Sequence, residues 1–243
     1  MPWPAWYNMP LRPVNPSASG LLLIDKPADF SSHDIIAITR RILRTKKIGH
    51  SGTLDPMATG LLILLIGREA TKRQPAFLNL SKTYQAVLKL GLETDTWDKY
   101  GEVIHTAPVP EISGAQLQAH IQTLSGTVKQ QIPPFSAKKI KGEKMYDLAR
   151  KGVELAPRFN EVTVSWADVC LRAPDEITFT LTGTSGTYVR ALGYMLARQL
   201  GTVGHLSALR RVAIGPYRVA HAFDGNLLKN CPTDILYKQV QPL

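Results

Sequence analysis

Cysteine is scarce in this sequence: Cys170 and Cys231 are its only two. Two thiols do not make a disulfide framework, and alone they do not make a Cys-rich zinc site. Their scarcity points to a reducing compartment, the cytoplasm. No apolar run approaches the roughly 18 residues of a membrane-spanning helix. Pro2, Pro4, Pro10, Pro13 and Pro16 stand where a secretory leader would carry its apolar stretch. A dinucleotide fingerprint, a phosphate-binding loop and a metal-ligand cluster are also missing, so neither cofactor nor metal is expected. Acid is short as well: 19 Asp and Glu face 29 Lys and Arg, a net charge of +10. That excess favours a polyanionic partner through counterion release, although a merely soluble basic protein shows the same balance. No internal repeat and no separate linker interrupt the chain.

What is present suffices for a sizeable core. The 243 residues are 44% hydrophobic, enough for one large domain or two small ones. The stretch Gly49-His50-Ser51-Gly52-Thr53-Leu54-Asp55-Pro56-Met57-Ala58-Thr59-Gly60 organises the rest. It holds one carboxylate, Asp55, among small residues and loop formers. Gly49, Gly52 and Gly60 permit backbone angles closed to other residues. Pro56 steers Asp55 into an extended or turn conformation. Leu61 to Ile66 follows as an apolar run that must be buried. From residue types alone, Asp55 reads either as a turn residue capping a neighbouring backbone group or as a reactive acid on a fixed loop.

Gly20 to Ile24 predicts a short buried strand ended by Asp25-Lys26-Pro27. Ser31 and Asp34 predict a helix start, and Ile35, Ile36, Ile38, Ile42 and Leu43 follow at helical spacing. Arg40, Arg41, Arg44, Lys46 and Lys47 crowd the far end, where they complement the helix dipole or meet a phosphate backbone. Lys82 to Gly91 alternates like a strand, and Gly101 to His105 predicts its hairpin partner across a turn holding Asp95 and Asp98. Ser113 with Gln116 predicts a helix through Leu124. Phe159 to Leu171 and Ile177 to Thr182 predict strands, and Ser185 onward leads into a helix through Leu200. Between the helix ending at Leu124 and the strand from Phe159, Lys138, Lys139, Lys141, Lys144, Arg150, Lys151 and Arg158 surround Tyr146, on a short predicted helix. Such interleaving suits looped or single-stranded RNA; a solvated charged loop is the plainer reading. The fold class expected is α+β, with mainly antiparallel strands and helices packed on them.

Gly49 to Gly60 resembles the signature of the TruB family of tRNA pseudouridine-55 synthases, G-H-[ST]-G-T-L-D-P-x-A-T-G. Met57-Ala58 is similar to the stand-alone bacterial type rather than to the RNA-guided enzymes that share G-T-L-D-P. Further motifs resemble the same family in order. They are Gly20 to Ser32, with Asp29 where a Gly is common, and the segment from Lys82 to Gly101. Next comes Pro133 to Arg150, one residue short between Pro134 and Phe135. Gly186-Thr187-Tyr188-Val189-Arg190 and His205 to Arg211 complete the set. The resemblance covers roughly residues 20 to 215.

The resemblance implies the pseudouridine synthase fold, a mixed sheet with the active cleft across its middle. It implies isomerisation of a T-loop uridine of tRNA by base flipping, with Asp55 as the catalytic residue. Arg190 would pair with Asp55. Tyr84, Tyr188, Leu209 and Lys26 would complete the uridine pocket, and His50 would fill space near the flipped nucleotides. Arg44, Lys46, Lys47, Lys138, Lys139, Lys141, Lys144 and Arg150 would bind RNA. The implied organisation is a Pro-rich arm over 1–18, a catalytic domain over 19–223 with an RNA-gripping thumb over 131–159, and a short tail over 224–243 without a complete C-terminal PUA-type module. The partner is the T-arm of tRNA, and the chain is expected to act as a monomer without a protein partner. A non-catalytic tRNA-binding or tRNA-folding protein on the same scaffold is the alternative; an RNA-guided enzyme in a larger particle is a third reading.

Overall fold

The computed structural model describes residues 19–133, 139–140, 143–144 and 156–243. A ten-stranded sheet forms the body. Its first strands, β1 (Gly20–Lys26), β2 (Ile48–His50) and β3 (Thr59–Ile66), are antiparallel, β3 lying between the other two. Next in chain order come β4 (Lys82–Leu90), β7 (Gly126–Gln131), β10 (Phe159–Ala173), β11 (Glu176–Gly183) and β12 (Gly204–Ile214). In space the order is β1-β3-β12-β4-β11-β10-β7. Only β3 against β12, and β1 against the short β14 (Phe223–Asp224), run parallel. Between β4 and β7, β5 (Leu92–Thr94) and β6 (Val103–Thr106) form a small sheet of their own. The hairpin therefore differs from the expected one. Gly91, at φ +89°, ends β4, and β6 pairs with β5 instead. A second small pair, β8 (Lys139–Ile140) and β9 (Glu143–Lys144), lies between β7 and β10; β13 (Tyr217–Arg218) extends β12.

Strand patterns follow what covers each face. β4 and β11 alternate buried and accessible positions, because only one face is covered. That face packs on α4 (Gly114–Thr123) and α5 (Val189–Gln199), joining Leu88, Phe179, Leu192 and Leu206. From Leu61 to Ile66 β3 is apolar at every position because both faces are covered. Leu62, Leu64 and Ile66 pack towards α1 (Ser32–Ile42), while Leu61, Ile63 and Leu65 pack towards Phe77, Leu80 and Tyr217. Two six-residue helices, α2 (Gly67–Lys72) and α3 (Gln74–Asn79), connect β3 to β4. Both expected capping boxes are present, Ser31 with Asp34 and Ser113 with Gln116.

Residues 224–243, read from the sequence as a tail, pack into the body. Leu228 and Leu236, the latter on α6 (Thr233–Lys238), are fully buried beside Ile24 and Ile35. Gln241 and Leu21 exchange two backbone hydrogen bonds of 2.8 Å. Among the described residues no helix is long and apolar enough to cross a membrane.

Candidate active site

Asp55 stands on the loop between β2 and β3, and the fold pins that loop at several points. The Leu54 N–H donates to Ser32 Oγ at 2.9 Å, and Ser32 Oγ donates to the Leu54 carbonyl at 3.2 Å. The Pro56 carbonyl accepts from the Asp29 N–H at 3.0 Å and from Lys26 Nζ at 3.4 Å. A β-turn with Pro56 at its second position closes when Ala58 N–H donates to the Asp55 carbonyl at 3.0 Å. Two of the three loop glycines use left-handed angles, Gly52 at φ +127° and Gly60 at φ +102°. Gly49 does not; it sits in β2 opposite Leu65. At Gly60 the backbone passes so close to β12 that a Cβ would lie 2.2 Å from the Arg211 carbonyl.

Arg190 reaches this loop from the first turn of α5. Its Nε lies 2.9 Å from Asp55 Oδ2, and its Nη2 donates to Asp55 Oδ1 at 3.3 Å. Nη1 donates to the Thr96 carbonyl at 2.6 Å and lies 3.5 Å from Asp98 Oδ2. The arginine side chain is 4% exposed and the Asp55 side chain 35%, so the acid faces open space while its partner is held from behind. Asp98, expected to be a turn residue, serves both purposes: it caps its own turn through Tyr100 N–H and Thr96 Oγ1 and lends Arg190 a second negative charge.

A cavity of about 670 Å³ opens in front of Asp55. Tyr84, Tyr188, Leu209 and Arg190 all line it, so the sequence-derived pocket residues meet there. Lys26 does not line it. Its ammonium is buried behind the loop, donating to the carbonyls of Pro27 at 2.8 Å and Phe30 at 2.7 Å as well as to Pro56. Burial lowers its pKa to about 8, against the pull of Asp55. The residue thus braces the Asp55 turn, because a strand-end lysine with three carbonyls around it satisfies its donors inside.

His50 lies beside the cavity loop and differs from a phosphate-binding cation. Its Nδ1 accepts from the Gly52 N–H at 3.1 Å, and burial, with His33 and Arg211 nearby, lowers its pKa to about 4. The ring is therefore neutral at physiological pH. Lys46 and Lys47 follow α1 as exposed residues and Arg44 is half-buried there, all three outside the cavity lining. Lys138, Lys141, Arg150 and Tyr146 fall outside the described residues; Lys139 and Lys144 are placed only as the paired positions of β8 and β9.

Three further residues shape the site without having been singled out. Gln130 is fully buried at an inward position of β7. Its amide donates to the Gly186 carbonyl at 2.6 Å and accepts from the Tyr188 N–H at 3.1 Å, fixing the Thr184–Tyr188 wall. An amide at an inward strand position was the available signal. Arg211 and Lys82 are buried cations on the cavity lining.

Comparison with known proteins gives one answer. The family model described as "TruB family pseudouridylate synthase (N terminal domain)" matches residues 40–189. A protein of Opitutus terrae named tRNA pseudouridine synthase B is 42% identical over 226 residues, covering 92% of each chain. A protein of Nocardia farcinica with the same name is 44% identical over 221 residues, covering 88% of this chain and 71% of its own. The solved structure "Crystal Structure of a Cbf5-Nop10-Gar1 Complex" superposes with a TM-score of 0.68 at 23% identity, over 92% of this chain and 60% of that one, a likeness of fold. With its signature loop, its Asp–Arg pair and its sheet in place, the chain belongs to the TruB family of pseudouridylate synthases.

Proposed function

We propose that this protein isomerises a uridine in the T-arm loop of tRNA, position 55, to pseudouridine, with Asp55 as the catalytic residue. The observation that carries the reading is the Arg190–Asp55 pair at 2.9 Å inside a cavity walled by Tyr84, Tyr188 and Leu209. The reaction conserves atoms. The N1–C1′ glycosidic bond breaks, the uracil turns, a C5–C1′ bond forms, and the proton from C5 is replaced by one on N1. No redox partner and no leaving group enter the balance, so positioned side chains suffice.

Asp55 acts as an ionised carboxylate, as nucleophile at the sugar or as base toward a sugar proton. Arg190 keeps it charged and aims it, because a bidentate guanidinium favours the carboxylate and fixes its plane. Tyr84 stacks on the uracil and Leu209 packs against it, while Tyr188 closes the wall. The target base leaves its stack to enter, at a cost of a few kcal/mol that cavity contacts and phosphate contacts offset. Basic residues around Arg44, Lys46 and Lys47 and in the 131–159 segment supply the phosphate contacts. Residues 19–223, with 224–243 packed onto them, form the catalytic domain, acting in the cytoplasm as a monomer.

Incubation of the purified protein with an unmodified tRNA transcript, followed by pseudouridine mapping, tests the reading. Conversion at the T-loop uridine is expected. Tight binding without conversion identifies a binding or folding protein on this scaffold.

A further inference from the structure

Two cations on the cavity wall are buried without a salt-bridge partner among the described residues. Arg211 is 1% exposed. Its Nε donates to the Leu61 carbonyl at 2.7 Å and its Nη2 to the Gly52 carbonyl at 3.1 Å, and it lies against Tyr84. A guanidinium has five donors; two carbonyls and a hydrogen bond with Tyr84 engage it, but none of these partners carries a full negative charge. Among the described residues it forms no ion pair, and Asp55 is the one acid that acts on it. Lys82 is 7% exposed and donates to the Leu78 and Leu80 carbonyls at 2.6 Å each, with a third N–H left over. No carboxylate acts on it, and Arg211 repels it. Arg190, the other buried arginine of the cavity, has two acids.

The space in front of these cations is kept open. At Gly52 a Cβ would stand 3.6 Å from Lys82 Cε and 3.9 Å from Arg211 Nη1, and its φ of +127° excludes most side chains there. Both cations also sit in register with the base-stacking residue. Arg211 pairs with Tyr84 across the β12–β4 ladder. Lys82 lies two residues from Tyr84 on the same face of β4, a step of about 6.6 Å.

We propose that Lys82 and Arg211 form a receptor for a backbone phosphate flanking the target uridine, and that this contact sets how the flipped nucleotide is seated against Asp55. The inference rests on the pseudouridine synthase reading and names a contact within that site. Uracil is neutral, whereas two adjacent buried cations with no carboxylate in contact favour a full negative charge, which RNA carries on either side of every nucleotide. Burial and Arg211 together lower the Lys82 pKa to about 8, so an arriving phosphate also firms its protonation.

The test uses a T-arm stem-loop RNA in which one phosphate at a time, 5′ or 3′ to the target uridine or in the distant stem, is replaced by a neutral methylphosphonate. Single-turnover kcat/KM and Kd are measured for the wild type, Lys82→Met and Arg211→Gln. In the wild type, one flanking replacement lowers kcat/KM by about 10- to 100-fold and the stem replacement does not. In Lys82→Met the same flanking replacement costs less than about threefold, because its partner is already gone. Equal losses in wild type and Lys82→Met at every phosphate overturn the proposal and assign the lysine to structure or to the departing uracil. So does a wild type indifferent to both flanking phosphates. Lys82→Met carries the comparison by itself if Arg211→Gln does not fold. A wild type that binds but never converts the unmodified RNA refutes the enzymatic reading instead, and the same coupling in Kd still decides the phosphate contact.

Discussion

Arg190 grips both carboxylate oxygens of Asp55 while its remaining amine donates to the Thr96 carbonyl and faces Asp98. The acid is thereby oriented from a side that solvent does not reach. Replacing Arg190 with Gln leaves Asp98, 8% exposed, and part of Asp55 without a countercharge. Loss of a buried partner costs about 3 kcal/mol, and the partial exposure of Asp55 places this case at or below that figure. We expect a lower denaturation midpoint and no measurable turnover. A variant with wild-type turnover would remove Arg190 from the mechanism.

Asp55→Asn keeps the shape of the side chain and removes its charge. Isomerisation should cease, while affinity for tRNA should stay within about tenfold, since phosphate contacts supply most of it. Single-turnover conversion and filter binding measured on one preparation separate the two effects.

Gly60 and Gly114 make a matched pair. A methyl group at Gly60 meets the Arg211 backbone at 2.2 Å and φ is +102°, whereas at Gly114 nothing lies within 4 Å. Gly60→Ala should destabilise by more than about 1 kcal/mol and push β12 away from the Asp55 loop, lowering activity along with stability. Gly114→Ala, at the first turn of α4, should be neutral or stabilising by up to about 1 kcal/mol. Urea midpoints of the two variants test the contrast.

His50 makes stability depend on pH in a defined window. Its folded pKa of about 4 lies below its unfolded value of 6.5, so below pH 6.5 the unfolded chain takes up a proton that the folded chain refuses. The contribution is complete above pH 6.5 and is lost as pH falls from there to about 4. His50→Gln should flatten the stability–pH slope in that interval. An unchanged slope would mean that the folded ring titrates normally.

The ends of the 131–159 segment meet: Gln131 and Phe159 are partners in the β7–β10 ladder. Residues between them can be removed and a short turn substituted without stretching either strand. Such a deletion should leave the core folded by circular dichroism and weaken tRNA binding by at least about tenfold, since the segment carries a dense share of the basic residues. Unchanged affinity would release the segment from an RNA-gripping role.

Local pattern made much of this architecture legible. The unbroken run of β3, the alternation of β4 and β11 and the two capping boxes each encode their element within a few residues. Asp55, Tyr84 and Arg190 were legible because each sits in its own dense motif. Lys26, Arg211 and Gln130 were not. Lys26 turns back on the neighbouring Pro27 and Phe30 carbonyls as well as the distant Pro56, the Leu61 and Gly186 carbonyls that hold Arg211 and Gln130 lie far along the chain, and nothing near a lysine or arginine in sequence says that it will be roofed over. The last twenty residues looked like a tail because their short helical turns are weak by pattern; two fully buried leucines and a backbone exchange with β1 hold them down.

The position of β12 has a kinetic consequence. It fills the gap between β3 and β4, yet it is synthesised long after both. Until it emerges, β4 along its length and the Thr59–Gly60 end of β3 lack their partner, and such edges invite pairing with another chain. Closing the sheet means bringing together segments separated by most of the molecule, so refolding should be slow for its size, and the nascent protein should be most prone to aggregate just before its final quarter leaves the ribosome.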